Sequence, residues 1–181
     1  MTRTVRLLAV GEPTASEVRD LLERAEQSDG VEAVSESFRL ALGPARDGVV
    51  HRLREAADGT VVGYAQVAQA GTPDAVAELV VDPAHRRRGN GRALLDAVLA
   101  EGSRSVWAHG MLPAADAVAR SAGFERPILH GLCTYGVAGR ALVGELGGGD
   151  ATKVTAIASR FTSPVFPGET LKASVWKEGD G

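Results

Sequence analysis

Glu78-Leu79-Val80-Val81-Asp82-Pro83-Ala84-His85-Arg86-Arg87-Arg88-Gly89-Asn90-Gly91-Arg92-Ala93-Leu94-Leu95 is the stretch on which the fold turns. An apolar strand, stopped by Asp82-Pro83, runs into a basic turn, and the turn opens a helix. The first N–H groups of a helix lack intrahelical partners, and the helix dipole adds positive character there. Together they favour a phosphate or pyrophosphate. Gly89 and Gly91 read as positions where no Cβ stands between backbone and ligand. Arg86, Arg87, Arg88 and Arg92 add charge for phosphate oxygens. A bare triple-arginine run is commonly a solvated turn. The strand before it, the two glycines and the helix after it favour the phosphate site. A nucleic-acid surface would need a wider basic face than this chain offers.

Outward from this stretch, strands and helices alternate. Residues 4–9 read as a strand. Residues 14–28 read as a helix, with Thr14 as N-cap, Glu17 three residues on, and Val18, Leu21, Leu22 and Ala25 as an apolar stripe. A second helix is expected over 31–42, closed by Gly43-Pro44. Residues 49–56 and 60–69 form a hairpin around Ala57-Asp58-Gly59. The strand of the deciding stretch covers 75–81, and its helix covers 91–100 with Leu94, Leu95, Val98 and Leu99 on one side. A short strand at 105–108 and a helix at 113–121, ended by Gly123, complete an α/β pattern. After Phe124 the character changes. A helix from about His130 runs toward Leu146, Gly147-Gly148-Gly149 forms a loop, and 154–161 and 170–176 read as two strands joined through Pro164, Pro167 and Gly168.

The 181 residues suit one ordinary domain and are short for two. Aromatic residues make up 4% within a hydrophobic content of 44%, so Val, Leu and Ala must fill the core. A net charge of −3 gives no reason to expect nucleic acid or an anionic membrane as partner. Cys133 is the single cysteine, which excludes an intramolecular disulfide and argues against a cysteine zinc site; no metal is expected. No stretch approaches a membrane span, and the first residues lack a signal-peptide core. The expectation is a cytoplasmic protein.

Arg86-x-x-Gly89-x-Gly91, between that strand and that helix, resembles the pyrophosphate-binding signature of the GNAT acetyltransferase superfamily, and the element order of residues 4–124 matches that fold. Asp29-Gly30-Val31, residues 77–81 with 86–91, and Trp107-Ala108-His109-Gly110 look like the N-terminal GNAT repeat of mycothiol synthase. That family has two tandem repeats and acetylates the amine of a glucosaminyl-inositol-cysteine conjugate; the resemblance covers the first repeat. It implies a mixed sheet with flanking helices over 1–124, acetyl-CoA as acyl donor and a small-molecule amine as acceptor. It puts the pyrophosphate on Arg86, Arg87, Arg88, Gly89, Asn90, Gly91 and Arg92, and pairs pantetheine with Leu79, Val80 and Val81. Glu78 becomes the candidate base, against the alternative of a solvated strand residue. His109 is either a structural landmark or the next candidate base. Two positions depart from the family: Ala119 where a tyrosine acid is often found, and Leu112 where an asparagine is common.

Residues 126–136, with Ser159-Arg160-Phe161-x-x-Pro164-Val165-x-Pro167-Gly168-Glu169-Thr170-Leu171, resemble the MaoC-like hot-dog (R)-specific enoyl-CoA hydratases over about 120–178. The resemblance implies a fragment over 125–181 made of one helix and two strands. His109 and Ala114 stand where the catalytic Asp and His of that family would be. The chain reads as a splice of the two families at the Ala122-Gly123-Phe124 they share. The strand pair is expected to extend or abut the first sheet, with a loosely tethered pair, or one that dimerises the chain, as the alternative. A hydratase fragment and a non-catalytic CoA-binding module stand as the alternative functions. His130 and Cys133 read as helix cap and packed helix residue.

Overall fold

β3 (Val61–Ala68) is buried along almost its whole length and is the middle strand of a five-stranded sheet. Its neighbours are β2 (Val50–Glu55) and β4 (Val76–Val81), both antiparallel to it. β1 (Arg3–Leu7) pairs antiparallel with β2, and β5 (Ser105–Trp107) pairs parallel with β4. The hairpin expected at Asp58-Gly59 is present: Asp58 Oδ1 accepts the Thr60 N–H at 3.0 Å, and Gly59 has φ +90°. This computed structural model describes residues 2–123 and 125–176 and divides into two compact units, Met1–Gly123 and Phe124–Gly181. Phe124, at the expected junction, and residues 177–181 lie outside the described residues.

Alternation along the strands sends successive side chains to opposite faces. On one face Leu53, Tyr64 and Val80 meet Val18, Leu21, Leu22 and Ala25 of α1 (Thr14–Asp29) and Phe38 of α2 (Glu36–Leu40). On the other, Ala65, Val67, Ala77 and Val81 meet Leu94, Leu95 and Val98 of α3 (Asn90–Ala100). Truncating such a side chain, as in Leu94→Ala, typically costs about 2–5 kcal/mol. Arg6 and Arg52 on the α3 face both pair with Glu101 just past that helix, and the Arg6 hydrogen bond, with help from Arg52, holds the Glu101 carboxyl below its usual range. α4 (Pro113–Ser121) completes the first unit.

Two helix expectations change. Thr14 is the first helical residue, not the cap; Pro13 holds the cap position, and Glu12 Oε2 accepts the Ser16 N–H at 3.2 Å. The helix expected over 31–42 is reduced to α2. Its first residues give their N–H groups to tertiary partners instead, Ala33 to Glu26 Oε1 at 2.9 Å and Ser35 to Glu78 Oε2 at 2.7 Å.

The second unit centres on α5 (Gly131–Gly147). His130 caps it, Nδ1 accepting the Leu132 N–H at 3.2 Å. Residues 154–176 return along this helix. The Tyr135 hydroxyl donates to Ile157 O at 3.3 Å, Leu129 N–H donates to Val165 O at 2.6 Å, and the Arg126 guanidinium lies 3.8 Å from the centre of the Phe166 ring. The two strands expected at 154–161 and 170–176 are not formed. An isolated strand pair is marginal in water, and the second unit holds no strand among its described residues for either to join. The first sheet correspondingly gains no strand after β5, and the expected dimer through paired C-terminal strands loses its strands.

Candidate active site

The basic turn is built by its neighbours. Asp82 opens a short 3-10 turn at Pro83–His85, accepting the Ala84 N–H at 2.9 Å and the Arg24 Nε–H at 2.9 Å. Burial pushes the Asp82 carboxyl up, but those hydrogen bonds and His85 outweigh it and hold it below the usual range. Arg86 turns inward. Its two terminal nitrogens donate to the two oxygens of Asp29 at 2.7 Å each, and its Nε donates to Val81 O at 3.1 Å. The Asp29 hydrogen bonds stabilise the guanidinium charge and raise its pKa. Asn90 is buried and tied to His85 O at 2.9 Å and to Arg54 Nε at 3.1 Å. Arg92 pairs with Asp96 and donates to Ser121 O.

The side chains of Arg86, Asn90 and Arg92 are therefore engaged within the fold. Arg87 and Arg88 are exposed and make no side-chain hydrogen bond or ion pair among the described residues. Gly89 has φ +79° and caps α3, and a Cβ there would meet nothing within 4 Å. Gly91 differs: its Cβ would stand 3.0 Å from Val118 Cγ2 on α4 and 3.7 Å from Val81 Cγ2. The two glycines, alike in the sequence, do different things. Gly89 leaves open space at the helix N-terminus, whereas Gly91 lets α4 pack against α3.

Beside this turn the sheet forks. The β4–β5 ladder ends at Glu78↔Trp107, yet β4 continues to Val81. Leu79, Val80 and Val81 have no β5 partner, and the Val81 carbonyl already accepts from Arg86.

Glu78 stands at the fork and is 1% exposed, which overturns the reading of a solvated strand residue. It shares a face with Val76 and Val80 and lies under the segment between α1 and α2. Its Oε2 accepts the Ser35 N–H at 2.7 Å and lies 3.3 Å from His109 Nε2, while its Oε1 is buried without a partner. The His109 side chain is 28% exposed. Across the sheet, Glu78 is in register with Gln66 and Gln66 with His51. The Tyr64 hydroxyl donates to Gln66 Oε1 at 2.8 Å and lies 2.7 Å from His51 Nδ1. Burial pushes the Tyr64 hydroxyl up and the His51 imidazole down from their usual values.

Two family models match. Residues 49–126 match the acetyltransferase (GNAT) domain and residues 113–181 the MaoC like domain, so α4 lies in both. The chain carries a GNAT acetyltransferase domain followed by a MaoC-like segment. Over 121 residues it is 50% identical to a mycothiol acetyltransferase of Clavibacter michiganensis, covering 64% of this chain and 39% of that protein. Over 60 residues it is 70% identical to 3-hydroxyacyl-thioester dehydratase Y of Mycobacterium tuberculosis, covering 33% of this chain and 21% of that protein. The chain thus spans well under half the length of either relative. The GNAT domain of S. lividans PAT has a similar fold, with TM-score 0.50 at 15% identity over 72% of this chain and 84% of that one.

Within the GNAT domain the position expected for a phenol is Ala119 on α4. Tyr64 is enclosed between His51 and Gln66, and Tyr135 lies on α5 with its hydroxyl on Ile157 O. Three contributors to the site were not foreseen as such. Asp29 appeared only as part of the Asp29-Gly30-Val31 landmark, and the Ser35 backbone lay inside an expected helix. Gln66 left only the trace of a polar residue within an apolar strand. No group of three or more His, Cys, Asp or Glu side chains able to hold a metal occurs among the described residues, and no helix among them is long and apolar enough to cross a membrane.

Proposed function

We propose that the GNAT domain binds acetyl-CoA and transfers its acetyl group to a small-molecule amine in the cytoplasm. The observation that carries this reading is the fork at Glu78, where β4 leaves β5 and runs on into the Gly89 turn. In this reading the pyrophosphate rests on the backbone from Arg87 to Gly91, flanked by the Arg87 and Arg88 side chains. The pantetheine arm lies along Leu79 and Val80, and Arg86 holds the turn in shape through Asp29. The thioester then comes to the fork, beside the Glu78–His109 pair, which supplies the base. The mycothiol acetyltransferase match makes a glucosaminyl-inositol-cysteine conjugate the first acceptor to try.

Tyr64, the tyrosine of the GNAT domain, is enclosed between His51 and Gln66 and does not stand ready to protonate the departing thiolate. General acid–base help is typically worth about 10²–10⁴-fold, so turnover should be slow. Ala119 also favours a second reading, a CoA-binding module without turnover. The test is thiol release from acetyl-CoA with a panel of amines. Amine-dependent release supports the transferase. Binding of acetyl-CoA with no release for any amine supports the module.

A further inference from the structure

We infer that His109 is the group that takes the proton from the acceptor amine, and that Glu78 is a positioning residue acting through it. The inference rests on the acetyl-transfer reading and divides the labour within its base. Glu78 is 1% exposed and lies beneath the Ser35 backbone, whereas the His109 side chain, 28% exposed, is the half of the pair that reaches the surface. A carboxylate so enclosed meets an amine directly only after the segment between α1 and α2 moves away, and otherwise needs an intervening group or water. The imidazole meets it with no such movement.

The geometry also sets the tautomer. His109 Nε2 is the nitrogen that faces the carboxylate, 3.3 Å from Glu78 Oε2. A carboxylate accepts hydrogen bonds, so Nε2 carries the hydrogen and Nδ1 keeps its lone pair. Among the described residues Nδ1 makes no hydrogen bond. Glu78 Oε1 is buried and makes no hydrogen bond among the described residues, so Oε2 carries the contact with His109.

The step balances without a tyrosine. Nδ1 removes one proton from R–NH3+, and the nitrogen lone pair of R–NH2 attacks the thioester carbonyl carbon. The C–N bond forms, and the tetrahedral intermediate collapses with cleavage of C–S. The thiolate leaves with the electron pair and takes the second proton from the attacking nitrogen. The products are the acetamide and CoA thiol, and the imidazolium returns its proton to water.

The experiment uses the full chain with an amine that the thiol-release assay identifies. His109→Ala should lower kcat about 10²-fold or more with little change in the acetyl-CoA KM, and added imidazole should restore part of the rate. Glu78→Gln should also lower kcat, and imidazole should not restore it. Independently of turnover, 15N spectra of histidine-labelled protein should show His109 as the Nε2–H tautomer. Wild-type rate in His109→Ala, absence of imidazole rescue, or an Nδ1–H tautomer would each overturn the inference while leaving acetyl transfer intact. A wild-type chain that acetylates no amine would instead remove the acetyl-transfer reading, and the base with it.

Discussion

Arg86 and Asp29 form a two-bonded ion pair, 2.7 Å on each side, that fastens the phosphate-type turn to the end of α1. The arginine of the R-x-x-G-x-G signature is therefore spent inside the protein, and its task is to hold the turn. Both side chains are mostly enclosed, at 23% and 14% exposure. Charge-assisted hydrogen bonds of this kind contribute roughly 1.5–3 kcal/mol. Asp29→Asn should lower stability on that scale and weaken acetyl-CoA binding several-fold, as read by denaturant unfolding and calorimetry. Unchanged stability would show that the pair does not hold the turn.

Gly91 makes a contrasting case. A valine there would drive its side chain into Val118, and overpacking of this sort costs about 1–3 kcal/mol. Gly91→Val should destabilise the domain, and Val118→Ala in the same chain should recover part of the loss. Purely additive effects in that double-mutant cycle would contradict the packing role.

The buried His51 predicts a pH dependence of stability. Burial holds its folded pKa below the 6.5 of a free imidazole, so the unfolded chain binds a proton that the folded chain refuses. Its contribution is complete above pH 6.5 and declines as pH falls from there toward the folded value. Urea unfolding of the wild type should show lower stability at pH 5.5 than at pH 7.5, to about the extent the linkage relation allows. His51→Gln should flatten that difference. An equal slope in both proteins would assign the effect to other groups.

The strand, turn and helix at 78–95 were legible because period, turn chemistry and charge agree there. The hairpin at Asp58-Gly59 was legible for the same reason. What the sequence hid was tertiary. Residues 31–35 have helical pattern, but Glu78 and Glu26 claim the N–H groups of Ser35 and Ala33. Residues 154–161 and 170–176 have strand pattern, but a strand needs a neighbour, and the hot-dog strands that would provide one do not occur in the sheet described here. Glu78 and His109 were both named as candidates, 31 positions apart; their pairing across 3.3 Å follows from the parallel β4–β5 register.

The MaoC-like segment should not hydrate enoyl-CoA by itself. In the hot-dog resemblance read from the sequence, His109 and Ala114 fall where the hydratase Asp and His are expected, and the MaoC-like match begins only at residue 113. Purified protein mixed with crotonyl-CoA should leave the enoyl absorbance unchanged. Robust hydration would show that other groups provide the acid and base.

The most direct test of the central claim is a calorimetric titration of acetyl-CoA into the wild type and into Gly89→Val. Gly89 has a left-handed backbone, φ +79°, and open space where a Cβ would stand, at the N-terminus of α3. A side chain there would fill the proposed phosphate space, and for an L residue it would also strain the turn by roughly 1–2 kcal/mol. Wild-type protein should bind acetyl-CoA, and Gly89→Val, with its fold verified by circular dichroism, should bind at least tenfold more weakly. Equal affinity in the two proteins, or no binding by the wild type, would contradict the account.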